Sequence, residues 1–159
     1  MSAKAFSRTF IDLVLFDILE RCQEEFTARN LCLIGEHPLS AQSKSSQRVS
    51  RIADCVLGYE PPMPTLSRTI ESISILVGSL GRLGHIIAYI AAAQQHRLSI
   101  MPLRIINIIY GMISDGVSWR FLRLGGKILR VSDIFNGTTD RGQRRVNLYI
   151  DRIVKAAIE

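Results

Sequence analysis

Acidic residues inside apolar runs are the residues of this sequence best suited to chemistry. Asp54 lies in the run RIADCVL and Glu71 lies in TIESISILV, and both runs are typical of β-strands. An ionised carboxylate is costly to bury unless it is paired, hydrogen-bonded or bound to a metal. Two carboxylates on neighbouring strands can share one Mg²⁺ ion, which takes its other ligands from water and phosphate oxygens. Because such an ion activates water for attack on a phosphodiester, Asp54 and Glu71 are the predicted metal ligands.

The same acids also have a purely structural interpretation. A carboxylate near a strand end is often solvated or paired with an arginine, and Arg51 and Arg82 are available for pairing. His85 follows on the next predicted helix, where it is either a metal ligand or general base, or a hydrogen-bonded core histidine. Among apolar helix neighbours the core role is the more common one.

Basic residues form two groups along the chain, and the net charge of +6 favours polyanionic partners. The candidates for nucleic-acid contact are Arg82, Arg120, Arg123, Lys127, Arg144 and Arg145, with Arg130 and Arg141 beside them. Apart from Arg82, which lies on the helix predicted over 78–97, these residues surround a predicted hairpin and open the last predicted helix. They could track a phosphate backbone, but a basic strand edge also prevents unwanted sheet pairing. Both interpretations remain open at this stage.

The order of the predicted elements indicates one α/β domain over residues 1–159. Apolar periodicity predicts helices over 8–27, 78–97 and 140–158. Strands are predicted over 31–36, 52–57, 69–77, 105–113, 117–124 and 127–131, with a loop or hairpin tip over 38–50 and a loop over 58–66. Asp115-Gly116 predicts a tight hairpin turn. This order favours a central mixed β-sheet with helices on both faces.

Several classes of protein are disfavoured by the sequence. The three cysteines include no CxxC pair, so we expect neither a disulfide framework nor a zinc site. Residues 73–93 are very apolar, but Arg82 and His85 lie near their middle, so we expect no membrane span. Because Asp12 and Asp17 interrupt the first apolar stretch, we expect no signal peptide and an intracellular protein, cytoplasmic or nuclear.

Five segments of the sequence together resemble the PD-(D/E)xK nuclease superfamily, in particular its small fungal and bacterial domains. Glu36 in LCLIGEHPLS resembles the acid of the family's first core strand, Asp54 in SRIADCVLGY its aspartate, and Glu71 in TIESISIL its E-x-K glutamate. The run GRLGHIIAYIAAAQQHR resembles the following helix, and IIYGMISDGVSWRFLRLGGKIL resembles the family hairpin YGxxTDGxxWxFxxL. The resemblance covers most of residues 30–131. It implies a restriction-endonuclease-like core with Mg²⁺ or Mn²⁺ at Asp54 and Glu71.

The departures from the family pattern concern catalysis. Ile73 stands where the family lysine would orient the attacking water, and His85 stands at the helix glutamine position. Loss of one charge-stabilising donor costs about 3 kcal/mol of barrier lowering. We therefore expect a nuclease-like domain that binds divalent metal and nucleic acid, with weak or lost phosphodiester hydrolysis. In that hypothesis Glu36 orients the metal ligands or binds a second ion. The alternative is an inactive pseudo-nuclease that serves as a protein-interaction or regulatory module.

Overall fold

The fold is a mixed α/β arrangement with a seven-stranded sheet, as seen in a computed structural model that describes residues 3–28, 31–42, 48–59, 72–100 and 107–158. The helices are α1 (Ala3–Arg21), α2 (Gln23–Ala28), α3 (Leu83–Ile100, preceded by a 3-10 turn at Leu80–Arg82) and α4 (Asp140–Ile158). The strands are β1 (Leu31–Gln42), β2 (Arg48–Tyr59), β3 (Ser72–Ser79), β4 (Ile108–Ser114), β5 (Ser118–Gly125), β6 (Ile128–Val131) and β7 (Phe135–Asn136).

The strands follow one another across the sheet in sequence order from β1 to β6, with β7 pairing β5 beside β6. All neighbours are antiparallel except β3 and β4, which are parallel. Parallel neighbours need a crossover connection, and α3 lies in it. The predicted mixed sheet is therefore confirmed, and its class is α/β.

Helices cover both faces of the sheet, and strand alternation separates two apolar cores. In β2, Cys55 and Leu57 join the core built with α1, α2 and α4, whereas Val56 joins the core under α3. The first core includes Leu15, Ile18, Trp119, Phe121, Val146, Ile150 and Val154. The second includes Ile86, Tyr89, Ile90, Ile109, Ile113 and Leu122. Such two-sided burial explains why β4 is almost continuously apolar.

The Asp-Gly hairpin is present where the sequence predicts it, between β4 and β5. The backbone N–H of Asp115 donates to the Ser118 carbonyl oxygen at 3.3 Å, and Gly116 has a φ of 90°. The Asp115 carboxylate accepts from the N–H groups of Val117 and Ser118, at 3.0 and 2.7 Å. Glycine is favoured at a first central turn residue with positive φ. The aspartate of this motif therefore has a structural role in the turn.

Three local expectations differ from the structure. The loop or hairpin tip predicted over 38–50 is too long, because β1 extends to Gln42 and β2 begins at Arg48, with these two residues paired in an antiparallel ladder. The polar composition of these residues favours a loop, but backbone pairing between β1 and β2 keeps them in the sheet. The first predicted helix is interrupted at Cys22, although its amide still bonds to the Ile18 carbonyl at 3.0 Å. Strand β7 was not predicted, since two residues carry no periodicity.

Residues 73–93 divide between β3, the 3-10 turn and α3. Over the described ranges, no helix combines the length and apolarity that crossing a membrane would require.

Candidate metal and nucleic-acid sites

Two of the predicted acidic residues occupy opposed positions in the sheet. The pairs Gly35–Cys55 and His37–Ala53 flank Glu36 on β1 and Asp54 on β2. Cα atoms of opposed residues in an antiparallel pair are about 4.5–5.5 Å apart. Like charges at such positions are unfavourable by themselves. Carboxylate oxygens are the ligands that Mg²⁺ prefers, so the donor chemistry of this pair suits a divalent cation.

Glu71, the other predicted metal ligand, lies outside the described residues. Ser72, which follows it in the chain, pairs with Tyr59, five residues along β2 from Asp54. Five residues of strand span about 17 Å. The register thus places Glu36 opposite Asp54, whereas the end of β3 that leads to Glu71 lies far along the strand. Joint metal binding by Asp54 and Glu71 stays a prediction.

Clusters of three or more potential metal ligands do not occur among the side chains that the structure describes. No three His, Cys, Asp or Glu side chains come together there in a way that could hold an ion. The side chains of Glu36 and Asp54 are outside that description, so the pair rests on strand register alone.

His85 and Arg82 are exposed at the start of α3. The core interpretation of His85 is therefore wrong, because α3 buries Ile86, Tyr89 and Ile90 and directs His85 to solvent. One residue of helix rotates the side-chain direction by about 100°, so the apolar neighbours of His85 in sequence do not surround it in space. Both residues remain accessible to a ligand.

Tyr89, one helical turn after His85, is a polar feature that the sequence did not reveal. Its side chain is buried, and its hydroxyl has no hydrogen-bond partner among the residues that the structure describes. It belongs to the same core as Val56, which is two residues from Asp54 on β2. A buried unsatisfied hydroxyl costs about 1–3 kcal/mol. Periodicity placed the ring on the apolar side of α3, but the missing partner is a tertiary property.

A row of exposed arginines occupies the first turns of α4. Arg141, Arg144 and Arg145 line a surface groove together with Asp140 and Leu148. Among described residues, no carboxylate forms an ion pair with any of the three. The positive end of the helix dipole disfavours cations at this terminus. We call Arg141, Arg144 and Arg145 the arginine row.

Ion pairs occupy part of the opposite end of α4. The Asp151 carboxylate pairs with Lys155 at 2.8 Å and with Arg21 of α1 at 3.8 Å. Arg21 also pairs with Asp17 at 2.9 Å. The hydrogen bond from Lys155 to Asp151 raises the pKa of that ammonium group. Lys155 is thus paired with a carboxylate, whereas the arginine row, like the exposed Arg152 further along α4, forms no ion pair with a described carboxylate.

The cations of the hairpin are divided between structural and exposed positions. Arg120 is half-buried, and its Nε donates to the Ser132 carbonyl oxygen at 2.9 Å, which holds β5 to the connection between β6 and β7. Arg123 is half-buried and lies directly opposite Arg130 on β6. Lys127 is exposed in the turn between β5 and β6. Arg120 therefore has a structural role, whereas Arg123, Arg130 and Lys127 form a separate basic edge.

In comparisons with known proteins, no family model, no curated protein and no solved structure matches the chain. The superfamily resemblance therefore rests on the motifs and their order alone.

Proposed function

We propose that the chain is a nuclease-like domain that binds the phosphate backbone of nucleic acid and a divalent metal ion, with weak or lost phosphodiester hydrolysis. The observation that carries the proposal is the arginine row on α4. These three exposed arginines pair with no described carboxylate and lie at the positive end of a helix, so an anion that covers them would offset their mutual repulsion. A polyanion supplies such charge, and arginine binds phosphate oxygens well because its guanidinium is a planar fork of donors.

The topology supports a restriction-endonuclease-like core. A helix is followed by three antiparallel strands, then by a crossover helix and a fourth strand parallel to the third. This is the order that the superfamily resemblance implies for its core. Because a fold hosts many activities, the topology supports the class of domain and leaves the activity to the site.

The metal part of the proposal uses Asp54 with Glu36 as the first pair of ligands. When bound, a divalent ion there would polarise a phosphodiester and lower the pKa of a bound water. Ile73 offers no charge at the position of the family lysine, so the chain itself supplies less help to the attacking water. Arg82 is exposed and accessible as a substitute for the missing cation, and the exposed His85 is accessible as a metal ligand or general base.

The alternative function, a pseudo-nuclease that serves as a protein-interaction or regulatory module, is favoured by Ile73. In that case metal binding and cleavage would both be absent, while the fold would be kept. The two hypotheses differ in their metal chemistry and are separated by the experiments below.

The first experiment measures binding of duplex and single-stranded oligonucleotides by filter binding over a range of salt concentrations. The double variant Arg144→Gln/Arg145→Gln should bind more weakly. Each lost phosphate contact lowers the salt-dependence slope by about 0.9 for duplex DNA, so the slope should fall by about 2. Circular dichroism confirms that the variants are folded.

The matched control is Arg21→Gln/Lys155→Gln, which removes the same amount of positive charge from cations already paired with carboxylates. Its binding should change much less than that of the arginine-row variant. An equal loss of oligonucleotide affinity in both double variants would show that the effect depends only on the net charge of the protein. Absence of oligonucleotide binding at low salt would refute the proposal.

The second experiment measures Mn²⁺ binding by electron paramagnetic resonance in the parent, Asp54→Asn, Glu36→Gln and Glu71→Gln proteins. We expect binding to weaken in Asp54→Asn and Glu36→Gln. Weakening in Glu71→Gln with Glu36→Gln unchanged would instead support the Asp54–Glu71 pair. If the parent binds no Mn²⁺, the interaction-module hypothesis is favoured. In the metal-binding case, Ile73→Lys should raise Mg²⁺- or Mn²⁺-dependent cleavage.

A further inference from the structure

We propose that the outer edge of β6 binds an acidic, extended segment of a partner protein as an additional β-strand. The observation behind it is an open sheet edge that combines outward-directed backbone groups, exposed apolar side chains and unneutralised cations. This surface lies on β6 and its flanking turn, whereas the arginine row lies on α4. The inference is therefore independent of the proposed nucleic-acid function.

Strand β6 is an edge strand in the described part of the chain. It pairs with β5, and no other described strand pairs with it. All four of its residues are exposed. An unpaired strand edge is a template for strand addition, a common mode of peptide recognition.

The hydrogen-bond phase of the ladder identifies which β6 groups face outward. The Ser132 N–H donates to the Phe121 carbonyl oxygen at 2.9 Å, and the same register continues back to the pair Ile128–Gly125. In an antiparallel ladder, hydrogen-bonded and non-hydrogen-bonded pairs alternate. Residues 128 and 130 therefore bond to β5, whereas the N–H and C=O groups of Leu129 and Val131 point away from it. These groups can accept a new strand.

The side chains along this edge are apolar to an unusual extent for a solvent-facing strand. Ile128 is 61% exposed, and Ile134, just after β6, is 56% exposed. Leu129 and Val131 are also exposed. Proteins normally protect such an edge with charge or with a bulge. An added strand would bury these side chains on both of its faces.

The charges beside the edge select the partner. Arg130 lies on β6 opposite Arg123, and Lys127 lies in the preceding turn. None of the three is ion-paired to a carboxylate among the described residues. Like charges at opposed positions are unfavourable, and an acidic side chain on the next strand would offset this repulsion. Alternating apolar and acidic residues therefore fit the edge.

A second copy of this chain fits the edge less well. An antiparallel pairing that uses the outward groups of both Leu129 and Val131 is centred on Arg130. It would set Arg130 directly opposite the partner's Arg130. Because directly opposed like charges are destabilising, the edge disfavours its own copy and favours an acidic partner.

The test uses isothermal titration calorimetry with two capped heptapeptides, one of alternating valine and glutamate and one of alternating valine and lysine. The glutamate peptide should bind at least about tenfold more tightly. The variant Arg130→Glu should reverse this preference. Leu129→Pro should abolish binding, because proline removes an outward N–H and leaves the bonds to β5 in place. Arg144→Gln/Arg145→Gln should bind the peptide as the parent does.

Four results would overturn the proposal. The parent protein could bind neither peptide, or it could bind both equally. The preference for the glutamate peptide could also persist unchanged in Arg130→Glu. This result can be obtained even if the Leu129→Pro variant does not fold. Finally, sedimentation could show a parent dimer that Arg130→Glu alters, which would make a second copy the occupant of the edge.

Discussion

The substitution Gly111→Ala tests how closely α3 packs on the sheet. Gly111 lies in the middle of β4, and a Cβ atom added there would be 2.5 Å from Ile90 Cδ1 and 3.3 Å from Leu122 Cβ. Optimal separations between carbon atoms are about 3.5–4.0 Å. Ile90 is fully buried, so its terminal methyl group has no solvent to move into. The added methyl group must therefore push α3 away from β4 or force an unfavourable rotamer.

The expected magnitude combines two opposing terms. Overpacking of this kind costs about 1–3 kcal/mol. The lower backbone entropy of alanine in the unfolded chain stabilises the folded state by about 0.4–1 kcal/mol and so offsets part of this cost. We expect the free energy of unfolding to fall by about 1–2 kcal/mol in Gly111→Ala, since the steric term is the larger. Urea denaturation followed by far-ultraviolet circular dichroism measures this change.

A companion substitution identifies the atom responsible. Ile90→Val removes Cδ1 and should by itself cost about 0.5–1.5 kcal/mol. In the Gly111→Ala background its cost should be smaller or reversed in sign, because it removes the overlapping atom. Gly84→Ala is the control, since an added Cβ there meets no atom within 4 Å, and it should be neutral or stabilising. If Ile90→Val costs the same in both backgrounds, the packing argument is refuted.

Two further predictions concern helix ends. Thr139→Ala should lower the free energy of unfolding by about 1 kcal/mol in the same assay, because the Thr139 Oγ1 accepts from the Gly142 N–H at 3.1 Å and caps α4. Thr139→Ser should keep most of that stability. An equal loss of stability in both variants would count against the cap. Burial raises the pKa of the Cys22 thiol, with Glu25 and Asp151 adding to the effect. Because the thiolate is the reactive form, alkylation of Cys22 should rise at higher pH than for an ordinary thiol. Peptide mass spectrometry measures this, and a midpoint in the usual thiol range would contradict it.

The elements that could be predicted from the sequence are those whose signals are local. Helix α4 begins and ends as expected because Val146, Ile150 and Val154 recur with helical spacing and are buried. Tyr149, assigned to the same stripe, is 38% exposed, although its ring stacks on Phe121 at 5.1 Å. The hairpin follows from the special backbone preference of one glycine in the turn. Such features depend on neighbours in sequence, which a single sequence displays.

The candidate site could be predicted only in part, because it depends on non-local pairing. The sequence placed Asp54 on a strand, and that placement is confirmed. It did not indicate which residue of which strand lies opposite, since register is set by the whole ladder. The strand segments inside residues 38–50 were missed for the same reason. The buried Arg97, whose guanidinium donates to the Ile108 carbonyl at 2.9 Å, was likewise invisible to periodicity.

The aromatic contact between α4 and β5 has a practical consequence. The chain has a single tryptophan, Trp119, which is 1% exposed and whose ring stacks near Phe121 at 6.4 Å. Phe121 in turn contacts Tyr149 on α4. All indole fluorescence of the protein therefore originates beneath the helix that carries the arginine row. A red shift in emission, or easier quenching by acrylamide, would report that the helices on this face of the sheet, α4 among them, have moved away from Trp119.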